Sequence, residues 1–349
     1  MAKSTFSTSS SPLRAPDAMN AAAQRWLHTP LIRALLALVL VVALGAIFSA
    51  HGAFFRWATH RDMLRQVSVF GILACGLTPL IISGGIDLSV GSVLGLGAVL
   101  AAQLAIRLGE PGGLVLLGVL SVGAIAGLIS GAIVTRFKAQ PFIASLAVMV
   151  VARGVAKWLS GGEKVSRAIA QADGSFAYAT LPAIFSQLSR KIWGGNVAMV
   201  TLVFLGAALL TWILLARLHH GRYLYAIGGN EVAAHFSGVP VVRTKLLAYA
   251  WSGLFATLAG LCQAAQEEQG DPEAGIGYEL TAIAIVVIGG TSLAGGRGGL
   301  GLTLLGALTI GYLEKILSIN AVPEASRLML TGAIIVAAVL LQGPVPKTP

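Results

Sequence analysis

Charge is what this sequence has least of. Asp, Glu, Lys and Arg make up 11% of its 349 residues, where soluble domains carry about 25%. Hydrophobic residues reach 56% and the mean hydropathy is +0.82. A chain so composed cannot cover itself with charge in water, so the fold class expected is an all-α polytopic membrane protein. Cysteine is nearly absent too. Cys75 and Cys262 both fall in apolar runs and read as small buried residues, neither a disulfide nor half of a metal pair. Of the six histidines only His219 and His220 are neighbours, adjacent helical residues do not face one side, and no metal site is expected. None of the eight lysines follows a glycine, which excludes a Walker A loop. No Ser/His/Asp, Cys/His or paired-carboxylate arrangement stands at useful spacing within the apolar runs, so a membrane enzyme is disfavoured. The net charge of +10 sits mostly in the N-terminal tail and short loops. It reads as the bias that sets membrane orientation rather than as a nucleic-acid surface.

Apolar runs are what the sequence has in abundance. About 20 apolar residues cross a bilayer, and ten runs qualify: 31–50, 67–83, 90–107, 113–134, 142–160, 196–216, 245–264, 278–294, 300–319 and 325–342. Residues 1–30 read as a disordered cytoplasmic tail, 31–342 as the transmembrane domain and 343–349 as a second cytoplasmic tail. The basic stretches Thr135 to Lys138 and 217–245 fall on the inner side of this count. The segment 265–277, with Glu267, Glu268, Asp271 and Glu273 and no Lys or Arg, falls outside. Two loops counted as outer, 51–66 and 161–195, are basic and run against the rule.

The segment Gly84-Gly85-Ile86-Asp87-Leu88-Ser89-Val90-Gly91 interrupts two of these runs. A carboxylate at a helix centre in a bilayer costs about 2.5–3.5 kcal/mol on insertion scales, so Asp87 needs a partner, a cavity or a helix end. Two readings fit. Gly84 and Gly85 end one helix while Asp87 and Ser89 cap the next, or the break opens onto a polar path that Asp87, Ser89 and Ser92 line. The count places the motif toward the inner face. Its spacing Gly-Gly-x-x-Leu-x-x-Gly returns at Gly289-Gly290-x-x-Leu293-x-x-Gly296. Glycines 295 to 299 around Arg297 read as a tight inner turn.

Within 217–245, Glu231 to Phe236 reads as a short helix, capped by Asn230 and stopped by Gly238. Such a helix either docks in a groove of a partner or lies as a plain connector. Arg153 and Lys157 share a face at i, i+4. Lys157 can snorkel to the interface, and Arg153, deeper, wants a partner. Glu314 and Lys315 read as interfacial residues pointing different ways.

Four stretches resemble the permease subunits of bacterial carbohydrate ABC importers, the ribose/xylose/galactoside group. They are Gln66 to Val69 leading through Gly84 to Gly91; Gln140 to Leu146 with Ala152-Arg153-Gly154; Gly229-Asn230 to Gly238; and Gly277-Tyr278-Glu279-Leu280 to Leu308. The resemblance covers most of 65–340. It implies a dimeric permease of the inner membrane with both termini cytoplasmic, importing a monosaccharide or close relative. It implies a second permease copy, a cytoplasmic ATPase that carries ATP and Mg, and a periplasmic sugar-binding protein as partners; the chain itself would hold no cofactor. It makes Gly229, Asn230, Glu231, Ala233, Ala234 and Gly238 the segment coupled to the ATPase. Asp87, Ser89, Ser92 and Thr281 become candidates for the translocation path, and Gly84, Gly85, Gly289 and Gly290 its helix breaks. The acidic stretch 265–277 is either a docking surface for the binding protein or only a soluble loop. The family usually has an aspartate where Thr281 stands and asparagines where Glu314 and Lys315 stand. The alternatives are a branched-chain amino-acid importer permease, of similar architecture, and an ion-coupled secondary transporter.

Overall fold

The computed structural model describes residues 29–170 and 175–341. The expected tails lie outside them except at residues 29 and 30. Helices α1 (Pro30–Ile47), α2 (Trp57–Ile82), α3 (Val90–Ala102, continued by a π turn Gln103–Arg107), α4 (Gly112–Arg136) and α5 (Pro141–Ser160) form the first half. A segment with strands β1 (Ala168–Ala170) and β2 (Phe176–Tyr178), helix α6 (Ala183–Ser189), and strands β3 (Lys191–Ile192) and β4 (Val197–Ala198) follows; β1 pairs with β2, and β3 with β4, antiparallel. Then come α7 (Met199–Ala216), α8 (His219–Gly229), α9 (Glu231–Phe236), α10 (Val241–Glu267), α11 (Tyr278–Ile288), α12 (Leu300–Ile319) and α13 (Glu324–Leu341).

Among the described residues eight helices are long and apolar enough to cross a membrane. The shorter apolar α11 and the 18-residue α13 occupy the remaining two of the ten runs. Two boundaries differ for physical reasons. Residues 57–66, expected in a loop, are the first turns of α2. Their polar side chains are used at the bundle end: Trp57 Nε1 and an Arg61 guanidinium nitrogen donate to Asn196 Oδ1 at 3.1 and 3.2 Å, and Arg61 also donates to the Gly195 carbonyl. The basic exception at Arg61 is thus a tether to a loop. The run 278–294 stops being helix at Ile288, where Gly289 and Gly290 follow.

Helix α10 packs on α2, α3 and α4 and forms the centre. Small residues let the backbones meet. A side chain at Gly253 of α10 would strike the Gly123 carbonyl of α4, and one at Gly127 the Tyr249 carbonyl of α10. Burial follows this order: 83% of the most apolar window of α2 is buried against 17% for α1, so α1 is peripheral. Cys75 and Cys262 are buried free thiols.

The bundle has two ends. The hairpin end carries 48–56, 161–198 and 320–323. The junction end carries residues 83–84, α8, α9 and 289–299, with Pro30 against Gly290.

Candidate translocation site

The first glycine break turns at Gly84, whose φ of +79° is the left-handed value a side chain rarely takes. The chain then leaves regular structure over residues 85–89 and returns into the bundle. Asp87 is 1% exposed and accepts from Ser89 N at 2.9 Å, Ser89 Oγ at 2.6 Å and Ser252 Oγ at 2.8 Å. Ser252 is the twelfth of the 27 residues of α10, so Asp87 lies well inside the bundle, on the junction side of its middle. The capping expectation changes. Ser89 stands at the N-cap of α3 but its side chain makes no cap bond; its hydroxyl donates to Asp87. The carboxylate brackets the break to α10, assisted by Tyr249 Oη donating to Ile86 O at 3.3 Å.

A second piece enters from the hairpin end. Residues 268–277 fold inward and deliver the start of α11 to mid-depth, because 11 helical residues span only about 16 Å. Arg153 meets the partner it wanted here. Its guanidinium donates to the Ala274 carbonyl at 2.8 Å and to the Pro272 carbonyl. Lys157 pairs with Glu273 at 2.9 Å, Lys164 with Asp271 at 3.0 Å and Arg167 with Glu268 at 2.9 Å. Asp271 holds the Lys164 ammonium above the ordinary lysine range. Most of the acidic segment's charge is therefore spent inside the chain. The first residues of α3 and α11 meet where Gly91 lies against the Gly275 carbonyl and Glu279.

Two cavities flank this meeting point. The larger, about 590 Å³, is walled by α2, α10, α11, α12 and α13 and includes Gln66, Phe70, Gln266, Tyr278, Thr281 and Glu314. The smaller, about 310 Å³, includes Ser92, Arg153, Lys157 and Glu279. Ile276 borders both. Of the expected path residues, Thr281 lines the first cavity and Ser92 the second. Asp87 and Ser89 line neither.

Glu314, expected at the interface, has partners within the chain. It accepts from Thr331 Oγ1 at 3.0 Å and faces Arg327 at 4.0 Å on the cavity wall. Lys315, about 100° round the helix, is buried at 9% exposure. The sequence reading also passed over Gln263 and Gln266. Two amides at i, i+3 near the end of an apolar run were the signal that could have found them.

At the junction end the second break turns through Gly290, Gly295 and Gly296, with φ of +107°, +86° and +72°. Gly289 keeps helical angles at the end of α11. Gly296 N donates to Ile82 O at 2.8 Å. Gly228 of α8 packs on the same Ile82 carbonyl and on Gly296 N. Tyr225 of α8 donates to Gly298 O at 3.0 Å, and burial pushes its phenol above the ordinary value. Gly229 ends α8, and Asn230 Oδ1 accepts from Ala233 N at 3.0 Å to cap α9. Glu231 pairs with Lys245 of α10 at 2.5 Å, Ala234 is buried, and Gly238 turns at φ +81°. Val232 and Phe236 stay exposed, Phe236 at 85%.

Residues 59–339 match a family described as the permease component of branched-chain amino acid transport systems. The ribose import permease of Escherichia coli (strain K12) is 37% identical over 310 residues, covering 88% of this chain and 92% of that protein. The chain belongs to the carbohydrate ABC importer permeases. A ribose import permease of Bacillus subtilis (strain 168) is 38% identical to this permease over 281 residues, 80% of this chain and 83% of the other. The xylose transport system permease of E. coli (strain K12) is 34% identical over 352 residues, 87% and 90%. No solved structure matches. The family description names amino acids, whereas these relatives of near full length are named for sugars.

Proposed function

We propose that this permease imports a monosaccharide across the bacterial inner membrane, driven by ATP hydrolysed on a separate subunit. The observation that carries the reading is identity along nearly the whole chain to permeases named for ribose, xylose and fructose. Two features of the structure support it. Polar groups such as Arg153, Glu279 and Thr281 stand beside cavities at membrane depth, where lipid contact would be costly. A second copy covering this face would close a water-filled path between the two chains. At the junction end, α9 offers Val232 and Phe236 outward while its base is fixed by the Asn230 cap and the Glu231–Lys245 pair. A short helix so presented suits a groove on an ATPase partner.

In this reading the junction end is cytoplasmic, as the basic residues around 217–245 favour, and both termini lie on that side. ATP binding closes the partner subunits, moves α9 and switches the path from one face to the other. Gly228 carries that movement to both breaks through its contact with Ile82 and Gly296.

The test is reconstitution of the permease with its ATPase and binding protein in proteoliposomes, assayed separately with D-ribose, D-xylose and D-fructose. ATP-dependent uptake of at least one sugar is expected. Uptake by the permease alone without ATP, or uptake of none of the three, would overturn the proposal.

A further inference from the structure

The larger cavity contains a wall that import through a passive hole would not need. Gln66 of α2 and Gln263 and Gln266 of α10 bring three amides to one side of it. The Gln266 amide nitrogen is buried and meets no protein acceptor. A buried donor left so costs free energy unless water or a ligand accepts from it. The Gln263 amide nitrogen is bound by Glu267, which leaves its carbonyl oxygen as the group to offer. The adjoining surface is aromatic: the rings of Phe70 and Tyr278 lie 4.5 Å apart between centroids.

Amides present a donor and an acceptor side by side, the pattern that neighbouring hydroxyls on a sugar ring present in return. Ring faces offer apolar area to the C–H side of such a ligand. Three charged side chains also line the cavity, Glu314, Glu324 and Arg327; Arg327 and Glu314 face each other at 4.0 Å, Glu314 also takes the Thr331 hydroxyl, and the remaining acid, Glu324, disfavours an anionic ligand. The volume of about 590 Å³ lies within the range of roughly 300–1,000 Å³ typical of small-molecule sites.

We propose that this cavity is a selective binding site within the permease for a neutral polyhydroxylated monosaccharide, with Gln66, Gln263 and Gln266 binding its hydroxyls and Phe70 and Tyr278 supporting its apolar face. The proposal rests on the import reading above and adds that the permease itself inspects the sugar after release from the binding protein.

The test uses the complete importer in proteoliposomes at saturating binding protein, with D-ribose, D-xylose and D-fructose as separate probes. Gln266→Leu and Gln66→Leu remove an amide at nearly constant volume. Each is expected to lower uptake at least tenfold while ATP hydrolysis stays within twofold of wild type. Gln266→Glu keeps a polar group but exchanges donor for acceptor, and carries the test if the leucine variant does not assemble; the same loss is expected. Uptake within twofold of wild type overturns the proposal and leaves the import reading intact. Parallel loss of uptake and hydrolysis in an assembled complex also overturns it, because the glutamines would then be structural. Absence of uptake by wild type for all three sugars overturns the import reading, and this site with it.

Discussion

The two glycine breaks share a spacing and differ in what holds them. At Gly84-Gly85 the chain turns once and climbs back into the bundle, and a side chain secures it. Asp87 gathers two bonds from Ser89 and one from Ser252. At Gly289-Gly290 the chain stays at the end of the bundle and turns repeatedly, and backbone secures it. Gly295 and Gly296 lie on Gly228 and Gly229, and Gly296 N reaches the Ile82 carbonyl next to the first break. One signature thus yields a penetrating segment and a flat platform. The difference is a carboxylate that three hydroxyl or amide donors can hold at depth, against a run of glycines held mainly by neighbouring backbone, with the Tyr225 hydroxyl on Gly298 O as a side-chain addition.

The largest effect should come from the platform's contact. A side chain at Gly228 would overlap the Ile82 carbonyl and the Gly296 amide, both backbone atoms that cannot swing aside. Gly228→Val should therefore destabilise by more than about 4 kcal/mol, read as loss of monodisperse protein from detergent extracts. Normal yield would show that the platform is soft. Next comes the penetrating segment. Asp87→Ala strands three buried donors and should cost about 3 kcal/mol or more in thermal unfolding, with Asp87→Asn costing less because one oxygen remains. The smallest effect is expected at the side-chain contact of the platform. Tyr225→Phe removes only the bond to Gly298 O, worth about 1 kcal/mol. If Tyr225→Phe proved as damaging as Asp87→Ala, the contrast between side-chain and backbone support would not hold.

Much of the bundle was legible in the sequence because lipid demands long apolar runs. The ten runs found there correspond to α1–α5, α7 and α10–α13, and the short α9 with its Asn230 cap is where residues 230–238 placed it. The start of α2 was not legible, since Thr59, His60, Arg61 and Asp62 look like loop by hydropathy and become helix only by standing on the apolar turns below. The partner of Asp87 was hidden for another reason. Ser252 stands 165 residues further on in α10, and hydropathy pairs no residues across such a separation. The larger cavity was least legible. Its wall takes two to five residues from each of five helices far apart in the chain, with Gln66, Gln266, Thr281 and Glu314 among them, and no local pattern joins them.

The contact of Gly228 with Ile82 and Gly296 is made by main-chain atoms, and that bears on how such a transporter can change. The cavity wall consists of side chains, which substitution alters one at a time. The contact proposed to carry motion has no side chain to alter, apart from the hydrogen on each glycine. A descendant could exchange amides for other groups and acquire a different cargo while inheriting the same drive train untouched. Novelty in what is carried and constancy in how it is driven are kept in separate parts of one polypeptide.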